Sequence, residues 1–131
     1  MSFIRRNGET APIYKEMFGG PGEAEMHRIL LGADEMSGKG RLFNHIVLHP
    51  GCGFGWHCRY AVEQGAAFGW HVHDGDSETY YILRGEGEYN DNGTLLTVGA
   101  GDVTFVASGE GHSLRNTGEG DLEFIALILY K

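Results

Sequence analysis

The chain has 131 residues, enough for one domain with a buried core, and its 21% charged and 41% hydrophobic residues are the ordinary balance of a globular protein. A formal net charge of -8 argues against nucleic acid as a partner, because phosphate contacts need a basic face, and no run reaches the ~18 apolar residues of a membrane span. The opening MSFIRRNGET lacks the apolar core of a signal peptide, so the expected compartment is the cytoplasm.

Residues 1–38 read as an N-terminal arm that packs on, or swaps onto, the rest of the fold. The arm offers a short strand near Ile13–Met17, a turn cluster FGGPGE (18–23) and a strand over Met26–Leu31. The stretch GADEMSGKG (32–40) is then a loop with room for one helical turn. From Arg41 the pattern changes to short apolar, β-branched and aromatic runs, each bounded by Gly, Asn, Asp or Pro. They are RLFNHIVL (41–48), HCRYAV (57–62), FGWHVH (68–73), ETYYILR (78–84), GEYN (87–90), TLLTV (94–98), DVTFVA (102–107), HSLRN (112–116) and LEFIALILY (122–130). None sustains a helical period, and 22 glycines spread along the chain supply the turns between them. Asn92-Gly93 is a strong hairpin signal. The expected fold class is all-β and antiparallel, with residues 39–131 forming a single barrel or sandwich domain.

The tetrapeptide FGWH is written twice, at 54–57 and at 68–71, and the two copies lead into different residues. After the second copy comes His71-Val72-His73-Asp74-Gly75-Asp76-Ser77-Glu78-Thr79-Tyr80. On a strand, residues two apart share a face, so His71 and His73 project together. If Asp74 to Ser77 closes an antiparallel hairpin, Glu78 stands opposite His73 and Tyr80 opposite His71. Two imidazoles and a carboxylate on one spot, with a tyrosine beside them, are a ligand set for a borderline divalent metal. The first copy has Cys58-Arg59 where the second has Val72-His73, and Gln64 at the position of Glu78. A guanidinium cannot ligate a cation, so the first copy, with His57, is expected to be architectural. Cys52 and Cys58 match no structural zinc spacing and are expected to be free thiols.

The frame around these residues resembles the cupin superfamily. Gly65, His71-x-His73, Glu78 and Gly85 stand at the spacing of its first motif. Gly101, Ala107, Gly109, His112 and Asn116 resemble the second, with Ala107 where the family usually has proline. The resemblance implies a jelly-roll β-barrel, of the small single-domain bacterial type, with a metal held by His71, His73, Glu78 and His112. The glycine-rich SGEG bend before His112 is a means of bringing its strand to the same cavity. Fe or Mn suits three imidazoles and one carboxylate best, and Zn or Ni also fits.

The function implied is a small metalloenzyme, of dioxygenase or isomerase/epimerase type, acting on a small polar metabolite with Tyr80 as proton donor or orienter. The alternative is a non-catalytic metal- or sugar-binding module. The family also implies a homodimer.

Overall fold

The computed structural model describes residues 2–4, 13–15, 23–50, 53–54 and 70–131. Among these residues the strands are β1 (Ile13–Lys15), β2 (Glu23–Leu30), β3 (Gly40–Leu48), β4 (Gly53–Phe54), β5 (His71–Val72), β6 (Asp76–Arg84), β7 (Glu86–Asp91), β8 (Thr94–Gly99), β9 (Val103–Val106), β10 (Gly111–Asn116) and β11 (Leu122–Tyr130). The one helical element among these residues is a 3-10 turn at Ala33–Met36, inside the expected loop. No helix among them is long and apolar enough to cross a membrane.

The strands form two antiparallel sheets, as expected of the jelly roll. The larger has the order β1-β2-β3-β11-β6-β9, and the smaller β4-β10-β7-β8, with β5 also paired to β10. The central strands β6 and β11 follow the period of two that a half-buried sheet demands. On β6, Asp76, Glu78, Tyr80 and Ile82 are buried and the residues between them are not. On β11, Leu122, Phe124, Ala126 and Ile128 are buried in the same alternation. Tyr80, Ile82, Leu122, Phe124 and Ala126 meet Ile46 and Leu48 of the larger sheet and Tyr89, Val98 and Leu114 of the smaller in one core. The sheets therefore close over a shared apolar filling, and the polar inner residues Glu78 and His112 sit beside it.

Two turns set the path of the chain. Asn92 (φ 50) and Gly93 (φ 100) turn β7 into β8 with the paired left-handed residues that a tight hairpin uses. Gly85 (φ 97) carries the chain from β6 in the larger sheet to β7 in the smaller. A side chain there would run into the backbone of Asp121 and Leu122, so this corner admits only glycine. The expected β5–β6 hairpin does not form. Asp76 and Ser77 already belong to β6, which pairs with β11 and β9, while β5 pairs with β10.

Candidate metal site

His73, Glu78 and His112 are brought together from three separate segments, and all three are buried. Glu78 lies on the inner face of β6, and His112 is the second residue of β10. His73 follows β5, and its backbone is clamped to the bend before β10. Its N–H donates to Glu110 O (2.9 Å), and its carbonyl accepts from Gly109 N–H (2.7 Å). The glycine-rich bend thus leads into β10, which carries His112 to the site, and also holds the backbone of His73 beside it.

The three ligand atoms converge. His73 Nε2 and His112 Nε2 are 3.2 Å apart, Glu78 Oε1 is 3.2 Å from the first, and it is 3.0 Å from the second. Donor atoms on neighbouring positions of one octahedral ion, each at ~2.1 Å from it, lie about 3 Å apart. The residues present therefore fit a divalent ion, and in donor chemistry they suit a first-row metal. The other ring nitrogens face outward from this point. His73 Nδ1 is 2.8 Å from Asp76 Oδ1, and His112 Nδ1 is 2.8 Å from the Tyr89 hydroxyl. Asp76 Oδ2 accepts a second hydrogen bond, from Arg41 Nε at 2.9 Å.

The electrostatics follow from this packing. The hydrogen bond with Glu78 raises the pKa of His73, and the bond to Asp76 adds to it against the opposing effect of burial. Burial on its own would raise the pKa of Asp76, but His73 and Arg41 outweigh it and hold the carboxyl below its usual range. Tyr89 is pushed up to about 12, chiefly by burial. Tyr80, with 0% exposure, is pushed well above its ordinary value by burial and then by the charge of Glu78, so it keeps its proton. Its ring stacks on His112 at 5.0 Å and packs against Phe124 at 4.8 Å. Its hydroxyl meets no hydrogen-bond partner among the described residues.

Of the site residues expected from the sequence, His73, Glu78 and His112 meet directly, and Tyr80 forms the wall behind His112. The backbone of His71 stands opposite His112 in the β5–β10 register, and its side chain lies outside the described residues. The same holds for the first FGWH unit from Gly55 onward, with His57, Arg59, Gln64 and both cysteines. Trp70 of the second unit lies against Gly111, whose missing Cβ leaves room for the indole. Asp76, Arg41 and Tyr89 were not singled out from the sequence. Asp76 had a signal, since it stands two residues before Glu78 and so shares its face. Tyr89 and Arg41 are linked to the site only by pairings distant in sequence.

Comparison with known proteins places these features in a lineage. The cupin domain model matches residues 58–128. An oxalate-binding protein of Thermotoga maritima is 42% identical over 126 residues, covering 96% of this chain and 92% of that protein. The crystal structure of a predicted oxalate decarboxylase from Thermotoga maritima superposes with a TM-score of 0.80 at 40% identity, over 99% of this chain and 100% of the other. KdgF from a Halomonas species, 14% identical, gives a TM-score of 0.69 over 99% of this chain and 95% of its own, a likeness of fold alone.

Proposed function

The chain belongs to the cupin family, and from that premise we propose that it uses one divalent metal ion to bind a small carboxylate, with oxalate the first candidate. The observation that carries this reading is the buried triangle of His73 Nε2, His112 Nε2 and Glu78 Oε1, all within 3.2 Å of one another. His71 completes the donor set in this proposal, since its backbone pairs with His112. Iron or manganese is the first choice of ion, with zinc or nickel as alternatives.

Charge explains why an anion is the ligand. Three neutral imidazoles and one carboxylate would leave a divalent ion with a residual positive charge. A small dicarboxylate would match that charge and offer oxygen donors to it. When bound, the ion supplies Lewis-acid polarisation of the ligand's oxygens. The protein residues hold and shape. Glu78 contributes the negative donor, Tyr80 packs flat on His112 and holds a protonated hydroxyl beside Glu78, and Tyr89 holds the far nitrogen of His112. Tyr80 can donate a hydrogen bond or a proton and cannot act as a base near neutral pH.

A second reading, in which the bound metabolite is converted by oxygenation, isomerisation or loss of a carboxyl, is favoured by that buried, protonated hydroxyl beside Glu78. One experiment separates the two. Metal-loaded protein is titrated with oxalate by calorimetry while O2 uptake and oxalate loss are followed. Saturable, metal-dependent binding without consumption supports the binder, consumption supports the enzyme, and absence of heat with every ion removes oxalate. A homodimer belongs to the same proposal. Tyr81 and Leu83 of β6 and Val103 and Phe105 of β9 are exposed side by side on the outer face of the larger sheet, an apolar surface suited to a second copy.

A further inference from the structure

We propose that Arg41 and Asp76 are a positioning pair for His73, and that the bulge in β3 exists at this level to deliver Arg41 to it; the inference deepens the ion-binding reading above. Along β3, Leu42, Asn44, Ile46 and Leu48 face inward, so strict alternation would send Arg41 outward with Phe43 and His45. The register with β11 breaks at this point. Ile128 pairs with Leu42 and Leu129 with Gly40, which leaves Arg41 as the extra residue. A bulge re-aims the side chain it inserts. Here the guanidinium crosses β11, two strand spacings or about 10 Å in all, to reach Asp76 on β6.

The level of the bulge matches the site. Ile128, the last residue before the shift, pairs on its other side with Glu78, and Tyr130 pairs with Asp76. Gly40 permits the bulge, because a Cβ there would lie 2.7 Å from the Ile128 carbonyl. The two oxygens of one carboxylate are then divided. Oδ2 accepts from Arg41 Nε at 2.9 Å, and Oδ1 takes His73 Nδ1 at 2.8 Å. A carboxylate held at both oxygens cannot rotate, so it fixes the ring plane of His73 and keeps the proton on Nδ1, which leaves the Nε2 lone pair facing Glu78 and His112. Glu78 would otherwise draw that proton to Nε2, from which it is 3.2 Å away. Arg41 is about half exposed, so an ion pair as such adds little stability; its contribution is the direction it gives the carboxylate.

The test uses full-length protein with Mn2+ as the probe, in competition with a fluorescent chelator. Asp76→Ala should weaken Mn2+ binding by ~10–100-fold, the usual loss on removing such a partner. Asp76→Asn, which keeps an acceptor and the shape, should lose less and guards against misfolding of the alanine variant. Arg41→Ala should lose several-fold at most, and the double variant should bind no more weakly than Asp76→Ala alone. A second readout needs no metal. Nitrogen-15 spectra of metal-free protein, at alkaline pH where the ring is neutral, should show His73 protonated on Nδ1 in the parent and on Nε2 in Asp76→Ala. Mn2+ affinity within twofold of the parent in Asp76→Ala, or losses from Arg41 and Asp76 that simply add, would overturn the proposal. So would an unchanged tautomer. If the parent binds no divalent ion, the ion-binding reading falls, and the tautomer alone then decides the role of the pair.

Discussion

Glu78 touches both imidazoles, and a carboxylate so placed must share either a proton or an ion with them. His73→Ala, His112→Ala and Glu78→Gln are each expected to strip most bound metal, measured by elemental analysis of protein purified without chelator, while far-ultraviolet circular dichroism stays that of the parent. His57→Ala is the control, expected to leave metal content unchanged. Because Glu78 and Asp76 raise the pKa of His73 above its ordinary ~6.5, metal and proton compete. Apparent metal affinity should climb as pH rises through that raised value and level off above it. A second histidine gives a pH effect of opposite sense on stability. His49, after β3, binds Asp121 through Nδ1 (2.7 Å) and Glu25 through Nε2 (2.8 Å), and the Asp121 bond is the main reason its pKa is raised. A raised folded-state pKa stabilises fully below the unfolded value near 6.5 and loses that contribution as pH rises through the folded value. In urea titrations the stability gap between the parent and His49→Gln should therefore be widest at mildly acid pH and narrow above neutrality. A gap that widens with pH would contradict this.

Most strands on the described residues were legible from composition, as was the β7–β8 hairpin, and the other pairings were not. LEFIALILY coincides with β11, and Asn92-Gly93 turns β7 into β8, because alternation and turn chemistry are local properties. The partner of β5 is decided by the bend at Gly109–Glu110, 36 residues beyond His73 by the numbering, so a local hairpin through Asp74–Ser77 looked equally natural. The same stretch concealed Asp76, whose neighbours read as turn although it already lies in strand. Arg41 escaped because a bulge cancels the alternation on which such reading depends. Two glycines give a paired test at this scale. Gly85→Ala meets both a left-handed φ of 97 and the backbone of Asp121 and Leu122, whereas Gly93→Ala meets a φ of 100 and nothing within 4 Å. Denaturant unfolding should place Gly93→Ala ~1–2 kcal/mol below the parent and Gly85→Ala about 3 kcal/mol or more below it. Equal losses would mean that the corner tolerates a side chain.

For the molecule as a whole, an ion bound only by the folded state must raise the melting temperature. A metal at 100 times its dissociation constant adds about 2.7 kcal/mol, so thermal melts with and without Mn2+ should separate for the parent and coincide for Glu78→Gln. The proposed second copy is tested by sedimentation, where Phe105→Glu is expected to shift a dimer to monomer without loss of metal. The order of the larger sheet carries one more consequence. β11 is laid between β3 and β6, so the two parts of that sheet remain unjoined until residues 122–130 have been made. His73, Glu78 and His112 all leave the ribosome before the strand that locks β6 against β3. A nascent chain at that stage carries the donors without the frame that aims them, and exposes the flanks of β3 and β6 as unpaired edges. Loading with metal is therefore expected to follow the making of β11, and ribosome-stalled chains ending before Leu122 should neither retain Mn2+ nor resist protease.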